Sequence, residues 1–391
     1  MSMHPGLQGG PIYLDYNATT PVDPLVAIAM SPFLTTHFGN PSSAHIYGRA
    51  SRDAIGVARE QVAQILGCAA DEIVFTGSGS ESDMLAIRGS VLALCKRGNH
   101  IITQVTEHPA VLNLCQSLTR LHGVEVTYLP VDGYGRVNPA DVEAAINERT
   151  VLITIMHANN ETGTLQPLAE LAEIAHRHDV LLHTDASQSV GKIPTQVAAL
   201  GVDLLTVAGH KLYAPKGIGA LYVRRGLQLE PLIYGGGQEA GRRAGTENIA
   251  FMVALGAASV IAYEQLAGSQ PRMQSLRDRL QQSLESELPN LVHLNGHPTE
   301  RLPNTLNVSI DGVVGEEILA ATPVIAASTG SACHEGSTEP SSVLLAMGLT
   351  RERALGALRL TFGRWSMEDD GERVANALAR TVKRLKGYKF P

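Results

Sequence analysis

Seven short runs of apolar and β-branched residues recur between residues 72 and 224, most of them separated by segments of helix length. They are EIVFT (72–76), HIITQV (100–105), EVTYLP (125–130), TVLITIM (150–156), VLLHTD (180–185), LLTVAG (204–209) and GALYVR (219–224). Runs this short and this apolar suit strands buried on both faces of a sheet. Segments such as ESDMLAIRGSVLALCKRG (81–98) and PLAELAEIAHRHD (167–179) supply helices to cover those faces. The alternation predicts an α/β fold with a mostly parallel seven-stranded sheet, which places ligands beyond the carboxyl ends of the strands.

The pattern changes after the Gly-rich stretch YGGGQEAGRRAGTEN (234–248). FMVALGAASVIAYEQLAG (251–268) and PRMQSLRDRLQQSLESEL (271–288) read as two long helices. TLNVSI (305–310) and ALRLTFG (357–363) resemble strands, and VVGEEILAAT (313–322) and SSVLLAMG (341–348) resemble helices. A smaller α+β domain is therefore expected, and 391 residues suffice for two domains.

A formal net charge of -7 gives no bulk attraction to nucleic acid or anionic membranes, so small molecules and proteins are the expected partners. Cys68, Cys95, Cys115 and Cys333 form no CxxC pair, which predicts neither a zinc site nor a disulfide framework. The first three read as small buried hydrophobes in a reducing cytoplasm. MSMHPGLQGGPIYLDY lacks the basic and apolar regions of a secretory leader, and no stretch approaches eighteen uninterrupted apolar residues.

Four elements carry chemistry. In AGHKLYAPKGIGALYV (208–223), Lys211 follows a predicted strand among glycines; alone it reads as a solvated surface lysine. In HTDASQSVG (183–191), Asp185 ends an apolar strand; it either caps a turn or pairs with a cation. Pyridoxal phosphate offers such a cation, because an adjacent aspartate keeps its pyridine nitrogen protonated. TGSGSESDMLAIRG (76–89) places a Gly/Ser turn before a helix, either a plain N-cap or an anion site suited to phosphate. STGSACHEGSTEPSS (328–342) sets Cys333 among small residues and beside His334, whose imidazolium would favour the thiolate.

Nine segments then agree in order with one family. YLDYNATTPVDP (13–24), GNPSSAHIYGR (39–49), TEHPAVL (106–112), HANNETGTLQP (157–167), HTDASQSVGK (183–192), GHKLYAPKGIGALYV (209–223), RRAGTEN (242–248), TGSACHEGSTEPS (329–341) and LRLTFGR (358–364) closely resemble the cysteine desulfurases. The resemblance covers residues 12 to about 365. It implies an aspartate-aminotransferase-like fold of the pyridoxal-phosphate fold type I, forming a homodimer. The expected division is a large cofactor domain over 21–258 and a small domain from 1–20 and 259–391, with the cysteine loop at about 326–342.

By the family's pattern Lys211 would carry the cofactor, Asp185 would hold its pyridine nitrogen and Gln188 its phenolic oxygen. His108 would stack on the ring and move protons. Gly79, Ser80 and His210 would bind the phosphate, with Thr246 reaching over from a partner subunit. Asn160 and Arg359 would bind the substrate carboxylate, Arg359 as a bidentate fork. Cys333 would take sulfur from L-cysteine as a persulfide, leave L-alanine, and pass the sulfur to an acceptor protein. One position departs: many members have a serine where this chain has Ala208.

The length of the cysteine loop resembles the branch in which the loop is long and mobile. Iron–sulfur cluster assembly, transfer RNA thiolation and DNA phosphorothioation all draw on the family. The sequence ends 27 residues after Arg364, shorter than the docking tail of many housekeeping members, which favours a dedicated system. The competing readings are a selenocysteine lyase, against which the Ser-Ala-Cys context of Cys333 argues, and a catalytically silent docking protein.

Overall fold

A computed structural model of the chain describes residues 3–330 and 339–387. Seven strands, β1 (Ile73–Thr76), β2 (His100–Gln104), β3 (Glu125–Leu129), β4 (Thr150–Thr154), β5 (Leu181–Asp185), β6 (Leu204–Ala208) and β7 (Gly219–Val223), form one sheet. Its order is β1-β7-β6-β5-β4-β2-β3. All neighbouring pairs are parallel except those of β7, which runs antiparallel to both β1 and β6. The mostly parallel seven-stranded sheet expected from the apolar runs is thus present.

Strands β1, β2, β4, β6 and β7 are buried along their whole length, because helices cover both faces of the sheet. Alternate residues point to opposite faces of a strand. Ile102, Ile153 and Leu205 therefore pack in one layer with Val62 and Leu66 of helix Ile46–Leu66 and Leu171 of helix Leu168–Arg177. Ile101, Leu152 and Leu204 pack in the other, with Leu85 of helix Gly79–Ala93 and Leu114 and Leu118 of helix Pro109–His122.

A second core lies under the antiparallel strands β8 (Val292–Leu294), β9 (Thr305–Ile310) and β10 (Ala357–Thr361), ordered β10-β9-β8. Leu306, Val308, Leu358 and Leu360 meet Val374, Leu378 and Val382 of helix Asp370–Leu385 there. The N-terminal segment joins this core, with Ile12–Tyr13 pairing in parallel with Ile325–Ala326.

The two helices expected after residue 250 are one continuous helix, Ile249–Glu287, which runs through Pro271. An interior proline costs a helix about 3 kcal/mol or more. Met252, Ala254 and Leu255 anchor its first half in the large core, and Met273, Leu276, Leu280 and Leu284 anchor its second half in the small one. Burying each large apolar side chain contributes roughly 1.5–3 kcal/mol, so the two cores together outweigh the proline. This helix is also long and apolar enough to cross a membrane by composition, yet it packs against helices Ile46–Leu66 and Asp370–Leu385.

The cysteines correct one expectation. Cys115 is buried, and burial pushes its thiol up to about 12. Cys68 is half-buried, and burial has the same effect on it. Cys95 is exposed rather than buried, because helix Gly79–Ala93 has ended and the chain turns outward before β2.

Gly363, which follows β10, lies hard against the ring of Tyr16. A methyl group there would lie 2.1 Å from Cδ1 of Tyr16, a fully enclosed ring. Gly363→Ala is expected to destabilise the protein by about 1–3 kcal/mol, as overpacking of a dense core does. Urea unfolding of the variant beside the parent checks this; equal midpoints would show that Tyr16 has room to move.

Candidate active site

The parallel direction of the sheet brings five strand ends to one edge, and the loops that leave them surround a cavity of about 530 Å³. Ser78, Gly79 and Ser80 enter it after β1, His108 after β2, Asn160 after β4, Asp185 and Gln188 from the end of β5, and His210 and Lys211 after β6. Asp15, Asn17, Ser328, Gly330 and Arg359 close it from the side of the second core. Nine of the residues singled out in the sequence, Gly79, Ser80, His108, Asn160, Asp185, Gln188, His210, Lys211 and Arg359, are therefore brought together. Thr246 is exposed and does not line this cavity. Cys333 and the centre of its loop, with the expected length and mobility, lie outside the described residues.

Lys211 sits on a single turn, Gly209–Lys211, directly after β6. Its Nζ donates to the backbone carbonyls of Ala18 (2.7 Å) and Asn17. Burial, with Arg359 nearby, lowers its ammonium to about 8, against the partial opposition of Asp185 and Asp15. A lysine so placed is a usable nucleophile and base near neutral pH.

Asp185 closes β5, and its Oδ1 accepts from the Ser187 N–H at 2.9 Å. His108 caps helix Pro109–His122, with Nδ1 accepting from the Ala110 N–H at 3.1 Å. That bond places the proton of the neutral ring on Nε2, and burial lowers the pKa further in favour of the neutral form. Burial, reinforced by Lys211, likewise lowers His210 to about 4.

Helix Gly79–Ala93 directs its N-terminus at the cavity. Ser78 Oγ accepts from the Glu81 N–H (3.1 Å) and Glu81 accepts from the Gly77 N–H (2.9 Å). The first-turn N–H groups of Gly79 and Ser80 have no partner within the helix. A methyl on Gly79 would lie 3.0 Å from Ala208 Cβ and 3.2 Å from Ser187 Oγ, so the turn lies hard against the end of β6 and the loop after β5.

Arg359 in β10 is buried, with Nη2 on Asp15 (2.8 Å) and Nη1 on the Asn160 carbonyl (3.1 Å). Its Nε has no partner among the described residues. A buried guanidinium with an open donor beside a cavity is suited to a carboxylate.

Several contributors carried no role in the sequence reading. Asp15 and Asn17 belong to the YLDYNATTP string, but nothing in their spacing assigns them to a site on the sheet. Asp83 and Glu107 are fully enclosed near Asp185. Burial raises both, Glu107 to about 8, and Asp83 Oδ1 and Glu107 Oε2 have no hydrogen-bond partner among the described residues, Asp83 Oδ1 lying 3.8 Å from His183 Nε2.

The model of the class-V aminotransferases matches residues 12–374 of the chain. The cysteine desulfurase IscS of Dictyoglomus turgidum is 47% identical over 377 residues, covering 96% of this chain and 95% of that protein. This chain belongs to the cysteine desulfurase family. A solved structure described as a NifS-like protein superposes with a TM-score of 0.89 at 35% identity, over 96% of this chain and all of that one. SspA in complex with cysteine superposes with a TM-score of 0.80 at 38% identity, over 91% of this chain and 99% of that one.

The family implies pyridoxal phosphate, and the desulfurase cavity fits it. Lys211 supplies an amine near its pKa, Asp185 a carboxylate at the strand end, and Gly79 and Ser80 open N–H groups for a phosphate. In the cofactor-free protein, Lys211 is expected to react with an amine-acylating reagent with a midpoint near pH 8. Arg359→Gln removes a neighbouring cation and should move that midpoint upward. Peptide mapping of the labelled lysine against pH checks both; a midpoint at the ordinary lysine value of about 10.4 would overturn the assignment.

Proposed function

We propose that this cavity converts L-cysteine to L-alanine and delivers the sulfur to Cys333 as a persulfide, for onward transfer to an acceptor protein. The observation that carries the reading is the meeting of Lys211, Asp185, His108 and Arg359 around one cavity in a chain of the cysteine desulfurase family. The described part of the cysteine segment reaches the wall of that cavity at Ser328 and Gly330.

Pyridoxal phosphate, when bound, supplies an electron-accepting ring that stabilises a carbanion at the substrate Cα. Lys211 would hold the cofactor aldehyde, and its Nζ would accept the proton from the substrate Cα. Asp185 would keep the ring nitrogen protonated, and Gln188 would donate to the phenolic oxygen. His108 would pack on the ring and hold a proton on Nε2. Gly79, Ser80 and His210 would bind the phosphate, without the hydroxyl that a serine at position 208 would add. Arg359 and Asn160 would bind the substrate carboxylate and orient the substrate Cα.

Sulfur then moves by attack of the Cys333 thiolate on the substrate Sγ. An S–S bond forms and the substrate Cβ–Sγ bond breaks with its electron pair going to carbon; protonation of that carbon and return of a proton from Lys211 to Cα complete alanine. Sulfur capture is thereby separate from the chemistry at Cα.

A homodimer is part of the same reading. Leu25, Ile28, Leu34, Phe38, Ile46 and Tyr47 are exposed on the short helices Pro24–Met30 and Pro32–Thr35, the segment that follows them and the start of helix Ile46–Leu66. Phe38 is 70% exposed and Ile46 is 73% exposed. So many large apolar groups within 23 residues mark a face made for a partner, here a second copy whose Thr246 completes the phosphate site. The division into residues 21–258 and 1–20 with 259–391 is supported by the two cores that the long helix joins. The unpaired thiols of Cys68, Cys95 and Cys115 support a cytoplasmic location.

Cys333→Ser is expected to bind the cofactor and L-cysteine yet release no alanine and carry no persulfide. Single-turnover alanine formation, with alkylation and mass mapping of the persulfide, checks this. A wild-type rate, or a persulfide on Cys68, Cys95 or Cys115, overturns the role of Cys333. Leu34→Glu with Phe38→Glu is expected to halve the mass seen by light scattering and to weaken cofactor binding; an unchanged mass places the dimer face elsewhere.

A further inference from the structure

Lys192 has no role in the reading above, yet it stands beside the site in an environment unusual for a lysine. It lines a second cavity, of about 490 Å³, formed with Tyr213, Arg272, Met273 and Phe362. Lys211 and Asn304 also line that cavity, so the two cavities share a wall. Lys192 does not line the first cavity, but Gln188, four residues earlier, does.

Nζ of Lys192 donates to Oε1 of Gln188 (2.9 Å) and to Oδ1 of Asn17 (3.1 Å). Both acceptors are neutral amide oxygens, and among the described residues no carboxylate pairs with this lysine. Burial, with Lys211 and Arg359 nearby, holds its ammonium well below the ordinary lysine range. Protonated or neutral, the amine keeps hydrogens to donate to these two oxygens.

The consequence falls on Gln188, which is 6% exposed and whose two amide ends have opposite chemistry. Its Nε2 donates to the Asn17 carbonyl at 2.9 Å, the same oxygen that accepts from Lys211. Rotating the amide by half a turn would set Oε1 against that carbonyl and Nε2 against Lys192. Two acceptors would then face each other, and the Lys192 bond to Gln188 would be lost.

Asn17 holds the other side of the network. Its Oδ1 also accepts from Asn304 (3.2 Å), and its Nδ2 donates to Thr305 Oγ1 (2.9 Å) and to the Asn160 carbonyl (3.3 Å). Each polar end of the two amides is thus fixed, and Lys192 is the donor that bridges them.

We propose that Lys192 is a positioning residue: by holding the Gln188 and Asn17 oxygens, it makes Gln188 present an N–H, rather than a carbonyl, to the cofactor. The inference rests on the assignment of Gln188 to the phenolic oxygen. That oxygen carries negative charge and needs a donor, so an inverted amide would repel it.

Lys192→Met keeps the length of the side chain and removes the donor. The dissociation constant for pyridoxal phosphate, from absorbance titration of the cofactor-free protein, is expected to rise about tenfold. The absorbance band of the bound cofactor is expected to shift. The melting temperature of the cofactor-free protein is expected to hold or increase, because an amine without a counter-ion has left a confined site. Gln188→Leu should reproduce the loss of affinity, and Lys192→Met should add nothing to it.

Wild-type affinity and an unchanged band in Lys192→Met overturn the proposal. So does a melting temperature that falls with the affinity, which marks a merely structural lysine, and so do losses that add in the double variant. If Gln188→Leu alone binds the cofactor as the parent does, the Gln188 assignment fails first and this proposal with it.

Discussion

The direction of the strands in β1-β7-β6-β5-β4-β2-β3 governs everything at the active site. A parallel strand delivers its carboxyl end to the same edge as its parallel neighbours, so residues far apart in sequence arrive together there. Ser80, His108, Asp185 and Lys211 come from four different strand ends, and none lies on a long flexible excursion. Strands β1, β2, β4 and β6 are buried throughout, which gives the loops leaving them a rigid base.

Charge is distributed unevenly around this edge. Acidic groups gather at the β5 side, where burial raises Asp83 and Glu107 and the nearby charge of Asp185 adds to both. Lys211 and Arg359 are cations that line the same cavity, and burial together with Arg359 depresses Lys211. His183, enclosed between Thr154 and Thr206, is lowered by burial to about 4 and adds no compensating charge. A ligand with a cationic ring nitrogen at one end and anionic substituents elsewhere finds both ends matched, which fixes its orientation as well as its affinity.

The sheet was legible in the sequence because doubly covered strands must be apolar throughout, and seven such runs have no other common explanation. Lys211, Asp185 and the turn at Gly79 were legible because each follows a run and breaks its composition. Asp15, Asn17 and Lys192 were not: each acts through a contact more than a hundred residues away in sequence or through a neighbour's amide, and local pattern encodes neither. The single helix through Pro271 was misread for a related reason, since propensity is local and the packing that overrides it comes from two separate cores. Cys95 shows the reverse error, a residue assigned by its type when the end of a helix decided its exposure.

That helix has a further bearing on how the two cores are set against each other. Leu255 belongs to one core and Leu276 to the other, on a rod with no break in its backbone between them. Each half of the helix packs on its own core, and the continuous backbone between them is a stiff lever. A change of bend at its middle would swing one lobe against the other without unpacking either, so the angle between them is set by a segment that belongs to neither core.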